Sequence, residues 1–95
     1  MLEVVTVKTL VGWHVEIEFQ EIGNRTQAAA LLRLADGTEL RAHGHAVRHP
    51  KDAEQLRVGE ELAAARTLND LARQLLEKSA RDIESATHVP AHPHM

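Results

Sequence analysis

His43 and His45 are the residues whose type and spacing come nearest to chemistry. Two apart on a strand, they share one face. In the pairing expected below, His45 lies across Ala29 from Glu18, and His43 lies across Leu31 from Glu16. Two imidazoles and a carboxylate on one surface are the raw material of a zinc site, which makes His43, His45 and Glu18 the candidate ligands. The competing reading is a set of solvated side chains on an open sheet. It is the stronger one, because a working zinc needs three ligands held rigidly by outer partners. No metal or cofactor is therefore expected. His88, His92 and His94 near the end of the chain would capture transition metals only incidentally.

A second set of residues suggests contact rather than catalysis. Arg25, Arg33, Arg41 and Arg48 trail along the second and third expected strands, as a phosphate-contacting face would. Glu16, Glu18 and Glu39 interrupt that trail, and no aromatic side chain shares the face to stack on a base. Leu31, with Ala29 beside it, is an apolar residue at the centre of an open sheet and points to a protein contact. Arg25, Leu31, Arg33, Arg41 and Arg48 form the candidate interaction face. The serines and threonines lie in no nucleophile–base pattern, and the isolated glycines make no phosphate loop. No catalytic residue is assigned and no enzyme is expected.

Composition narrows the class further. The 95 residues are 43% hydrophobic and 26% charged, and they suffice for one domain with a single modest core. A net charge of −3 argues against avid, non-specific nucleic-acid binding. The chain has no cysteine, which fits a cytoplasmic protein, and no basic-then-apolar leader of the secretory kind. No run approaches the length of a membrane span.

The elements that position these residues follow from periodicity. Residues 1–11 read as a flexible leader or a short edge strand through Val4, Val5 and Val7. From Gly12 to Gln20 the chain alternates, with Trp13, Val15, Ile17 and Phe19 on one side. That side is expected to be buried, with both aromatics in the core. Gly23-Asn24 suits a two-residue turn, pairing Phe19 with Ala28, Ile17 with Ala30, Val15 with Leu32 and Trp13 with Leu34. A three-residue turn over Ala35-Asp36-Gly37, with Gly37 left-handed, follows. The register expected there pairs Leu34 with Leu40, Leu32 with Ala42, Ala30 with Gly44 and Ala28 with Ala46. Asp52 to Gln55 reads as one capped turn.

From Val58 to Ala86 the period changes to that of a helix. Val58, Leu62, Ala65, Leu68, Leu71, Leu75, Leu76 and Ile83 fall in one arc of roughly 180°, expected to cover the sheet. Arg66, Asp70, Arg73, Glu77 and Arg81 are placed opposite, with i,i+4 ion pairs among them. Thr87-His88-Val89-Pro90 ends the helix. About 29 residues span some 43 Å, more than a small domain is wide. Such a helix must overhang its sheet, kink or lie against a second subunit, and the arc exceeds what three strands cover, so a homodimer is expected, with Leu62, Leu71 and Leu76 as candidate contacts. The fold class is α+β: a three-stranded antiparallel meander on one long C-terminal helix, with the domain over 12–87 and a tail over 88–95.

The run Val58-Gly59-Glu60-Glu61-Leu62 through Leu71-Ala72, then Asp82-Ile83-Glu84-Ser85-Ala86-Thr87-His88, closely resembles a family of small actinobacterial proteins of unknown function. Arg25-Thr26-Gln27-Ala28 and Arg48-His49-Pro50-Lys51-Asp52 belong to the same resemblance, which covers about residues 12 to 90. It implies a β-β-β-α fold like that of double-stranded-RNA-binding domains. It also implies a dimeric stress or dormancy-type protein, comparable to factors that put ribosomes into hibernation. The ribosome, or another protein, is then the expected partner. Glu60-Glu61 stands where such RNA-binding domains carry lysines, which argues against direct RNA contact. The alternatives are a protein-interaction module using the open sheet face without RNA, and a histidine-based metal or pH sensor.

Overall fold

In the computed structural model the residues described are 10–48 and 56–88. The expected leader or edge strand through Val4, Val5 and Val7, the expected capped turn over Asp52 to Gln55 and the histidines beyond His88 lie outside them. Three strands precede one helix: β1 (His14–Ile22), β2 (Arg25–Arg33), β3 (Glu39–Val47) and α1 (Leu56–Thr87). The sheet is an antiparallel meander in the order β1-β2-β3. The α+β class expected from periodicity is the one found.

The first hairpin forms as its turn residues dictate. Ile22 pairs with Arg25, and Phe19–Ala28, Ile17–Ala30 and Val15–Leu32 are Cα partners. Gly23 takes a positive φ of 58°, which only glycine adopts at little cost in a tight turn. β1 begins at His14, so the ladder stops short of the expected Trp13–Leu34 pair.

In the second hairpin the turn is as expected and the register is not. Gly37 has φ 88°, its N–H donates to Leu34 O at 3.0 Å, and Leu34 N–H donates to Thr38 O at 2.8 Å. Those two bonds define a three-residue loop with a left-handed glycine, which makes Leu34 and Thr38 neighbours. The ladder therefore pairs Leu32 with Leu40, Ala30 with Ala42 and Ala28 with Gly44. This is two residues away from the expected pairing. An even shift leaves every side chain on its expected face and changes only its neighbours. The Thr38 N–H also bonds the Asp36 carboxylate at 2.9 Å and holds that group below the usual carboxylate range.

The helix meets the sheet through small residues. Gly59, Ala63, Thr67 and Leu71, four apart, form its buried line, and it packs on β2 and β3. A Cβ built on Gly44 would lie 2.5 Å from Thr67 Oγ1 and 2.7 Å from Thr67 N, so the two backbones nearly touch. Ala28, Ala30, Ala42 and Ala46 are buried on the facing strands, with Leu32 and Leu71 filling the wider end. The Thr67 hydroxyl is fully buried and donates to Ala63 O at 2.7 Å, so it costs no unpaired polar atom.

Two expectations are overturned by this packing. The wide apolar arc does not cover the sheet: Val58, Leu68 and Ile83 are 43–50% exposed, alongside Leu62 at 45%, which was expected to stay uncovered. Leu71 is instead buried at 4%, packed with Ala30, Leu32 and Ala42, and is not free for a dimer contact. The aromatics are not in the core either, for Trp13 is 56% and Phe19 42% exposed. The cause is the same in both cases. A helix held over β2 and β3 leaves the inner side of β1 uncovered, and only Ile17 reaches its core.

Ion pairs on α1 also rearrange. Arg73 bridges both Asp70 and Glu77, while Arg66 reaches down to His45 O at 2.8 Å instead of pairing with Asp70. Gly59 sits inside the helix, against Thr26 Oγ1. Glu60 and Glu61 follow the first turn, because the helix starts at Leu56. His88, with φ 60° and its N–H on Glu84 O at 2.7 Å, closes the helix in the left-handed region.

Gly44→Ala should drive Thr67 and the helix off β3 and destabilise the fold by about 1–3 kcal/mol, as overpacking does. Denaturant unfolding measures this directly, with Gly12→Ala, where an added Cβ meets nothing within 4 Å, as the control.

Candidate interaction surfaces

The outer face of the sheet gathers most of the polar candidates. Because the second hairpin is shifted, His43 stands in one row with Ala29 and Glu18, and His45 stands with Gln27 and Gln20. Sequence reasoning had placed Glu18 opposite His45. Arg41 takes the position across Leu31 from Glu16 that His43 was to fill. Among the described residues no three histidines or carboxylates come close enough together to hold a metal. The bonded histidine–carboxylate pair is elsewhere, at His14 Nε2 and Glu16 Oε1, 2.9 Å apart and exposed. His43, His45, Glu18, Gln20, Arg25 and Gln27 line a wide, open basin.

The arginines divide. Arg33 and Arg41 lie either side of Glu39, at 3.6 and 3.9 Å, with half or more of each side chain in water. Arg25 is exposed at the rim of the basin, and Leu31 is half-buried between Glu16 and Arg41. Arg48 is not on this face in any useful sense. Its Nη2 donates to Gly23 O at 2.8 Å and pairs with Glu21 at 3.2 Å, and its backbone N–H bonds Asn24 O at 2.7 Å. Glu21 in turn accepts both contacts of the buried Thr26 hydroxyl, at 2.8 and 3.0 Å. Arg48, Glu21 and Thr26 thus form a polar clamp that joins the end of β3 to the first turn, beneath Gly59. Sequence reasoning missed it. The available signal was Glu21 facing inward by parity, on a side otherwise apolar.

The second surface is apolar. It comprises Trp13, Val15 and Phe19 on the inner side beside β1, Leu68 on the flank of α1 towards β1, and Leu62, Val58 and Ile83 on the parts of α1 turned away from the sheet. The far flank of α1 is polar and tied down. Arg66 and Gln74 each donate to a β3 carbonyl, His45 O and Arg41 O, at 2.8 Å. Asp70 is bonded by Arg73 and by Gln74, which holds its carboxyl below the usual range. Leu62 and Leu76, candidate dimer contacts, lie on the uncovered side of the helix, exposed and half-buried respectively.

Comparison with known proteins places this geometry in a group. Residues 11–92 match the family described as Rv2632c-like. An uncharacterised Mycobacterium bovis protein, Mb1767, is 40% identical over 79 residues, covering 83% of each chain. The uncharacterised Mycobacterium tuberculosis protein Rv2632c is 40% identical over 76 residues, 80% of this chain and 81% of that one. The crystal structure of Rv2632c superposes with a TM-score of 0.77 at 36% identity, covering 87% of this chain and 98% of the other.

With His88, His92 and His94 replaced by alanine, zinc calorimetry should show no stoichiometric binding to the sheet face. A one-to-one isotherm lost in His43→Ala would instead assign a metal site there.

Proposed function

The chain belongs to the Rv2632c-like family, and we propose that it works as a homodimeric, non-enzymatic binding protein of the stress or dormancy type. One observation carries the reading: large apolar side chains beside β1 and on α1 stand exposed among the described residues. Trp13, Val15 and Phe19 beside β1, and Val58, Leu62, Leu68 and Ile83 on α1, are each between 42% and 56% exposed. Completing the burial of such side chains is worth roughly 1 kcal/mol or more apiece, large against the stability of a small domain. Patches of this kind on soluble proteins mark interfaces. A second copy offers the same apolar helix face, and each covers the other's.

The dimer leaves its outer sheet faces free, and these are the surfaces for a further partner. Leu31, ringed by Arg33, Arg41 and Glu16, is the centre of each. The ribosome is the partner implied by the family resemblance, in a cytoplasmic setting. The interleaved carboxylates of Glu16, Glu18 and Glu39 favour contact through ribosomal protein over contact through bare RNA. The half-buried Leu31 equally suits a partner protein unconnected with ribosomes.

Light scattering at micromolar concentration should give twice the 10.5 kDa of one chain. A well-folded monomer would end the dimer reading. In starved native cells the protein should co-sediment with ribosomes, and Leu31→Asp should release it without unfolding it. Protein that stays ribosome-free under every stress would remove the ribosome, and capture of a partner that survives ribonuclease would favour the protein-interaction alternative.

A further inference from the structure

We propose that α1 pairs antiparallel with α1 of a second copy, in a single register set by Asn69 lying opposite the partner subunit's Ser79. The inference rests on the homodimer above and specifies its geometry. On the side of the helix facing away from the sheet, two heptad series run interleaved. Val58, Ala65, Ala72, Ser79 and Ala86 are seven apart, and Leu62, Asn69, Leu76 and Ile83 are seven apart, offset by four. The resulting four-three spacing, kept over four heptads, is the signature of a helix seam that meets another helix. At 100° per residue this seam points roughly 180° away from the Gly59–Ala63–Thr67–Leu71 line buried on the sheet. All its residues are exposed except Leu76, which is half-buried.

Size decides the direction. One series is small throughout after Val58, and the other is large. A parallel pair stacks like on like, so layers of alanine against alanine leave voids between layers of leucine. An antiparallel pair sets each large residue against a small one, and the small series lets the two backbones approach closely. Polarity then decides the register. With Leu62 against the partner subunit's Ala86, Leu76 meets Ala72, Ile83 meets Ala65, and the seam's two polar residues, Asn69 and Ser79, meet each other. Sliding by one heptad sets Asn69 against Ala72 and Ser79 against Leu62, leaving both polar groups without partners.

The flanks agree with this arrangement. Near the two-fold, Arg73 approaches its own copy, but each guanidinium is already paired with Asp70 and Glu77. On the other flank Leu75 approaches its own copy and Leu68 lies between the partner subunit's Leu75 and the partner subunit's Asp82, so the middle of that edge is apolar and Asp82, paired with Lys78, borders it. Arg66 bonded to His45 O fixes the first flank over β3, which puts Leu68 and Leu75 on the side of β1. The two-fold of an antiparallel pair is perpendicular to the helices and to the line joining them. It therefore keeps both β1 strands on the same side of the pair. Trp13, Val15 and Phe19 of the two copies then line one shared cleft, with Leu68 and Leu75 at its floor. A parallel pair would set them on opposite sides.

The chain has no cysteine, so disulfide trapping is clean. Ala65→Cys and Ile83→Cys chains, mixed and oxidised, should give a heterodisulfide dimer, because close approach brings their Cα atoms within bridging distance. Each variant alone should give little covalent dimer. Self-linked Ala65→Cys would mean parallel helices and overturn the proposal, as would the absence of any cross-link in a chain that light scattering shows to be dimeric. A monomer by scattering would overturn the homodimer itself, so the two failures are distinguishable.

Discussion

The contact of Gly44 with Thr67 and Ala63 governs the rest of the molecule. Of the side chains only the Thr67 hydroxyl meets the strand there, and an added Cβ would lie 2.5 Å from it, 2.7 Å from Thr67 N and 2.8 Å from Ala63 O. A helix seated this low on β3 cannot also lie centrally over three strands about 4.8 Å apart. It covers β2 and β3 and leaves β1 half-clothed. Close approach also demands small residues on the helix face that meets the sheet. The large apolar residues of α1 are consequently displaced to its outer side. The interaction surface is thus a by-product of how the core is closed.

The polar clamp at the other end of the core supports the same placement. Thr26, Glu21 and Arg48 share their hydrogen bonds beneath Gly59, where a Cβ would come within 2.9 Å of the Thr26 hydroxyl. Gly59 and Gly44 are therefore two points of close contact along one line, and together they set the tilt and height of α1. Arg66 and Gln74 add tethers to β3 carbonyls. Those tethers also occupy backbone groups that would otherwise invite another strand, whereas β1 carries Glu16, Glu18 and Glu21 along its length.

Much of this was legible in the residues and some was not. Alternation from Trp13 to Phe19, glycine in both turns and the apolar period from Val58 were enough for the β-β-β-α order and for every strand face. The neighbours of His43 were not legible until the loop was counted correctly from Leu34 to Thr38, a two-residue error that parity does not reveal. The face of the helix was misread for a deeper reason. Hydrophobicity ranks leucine above glycine, alanine and threonine, so the widest apolar arc looks like the core. Steric fit against Gly44, Ala28 and Ala46 favoured the small side instead. Leu71, the one leucine on that line, went to the core. The Rv2632c crystal structure, similar over most of both chains, has the same fold.

The chain has one tryptophan and no tyrosine, so its fluorescence reports on the uncovered side of β1 alone. Emission followed through serial dilution, alongside far-ultraviolet dichroism to show that the fold persists, tests the central claim directly. Pairing that gathers the two copies' Trp13 side chains into one shared cleft predicts blue-shifted emission at high concentration that moves to the red as the dimer dissociates. Red, solvent-like emission independent of concentration in folded protein would contradict it.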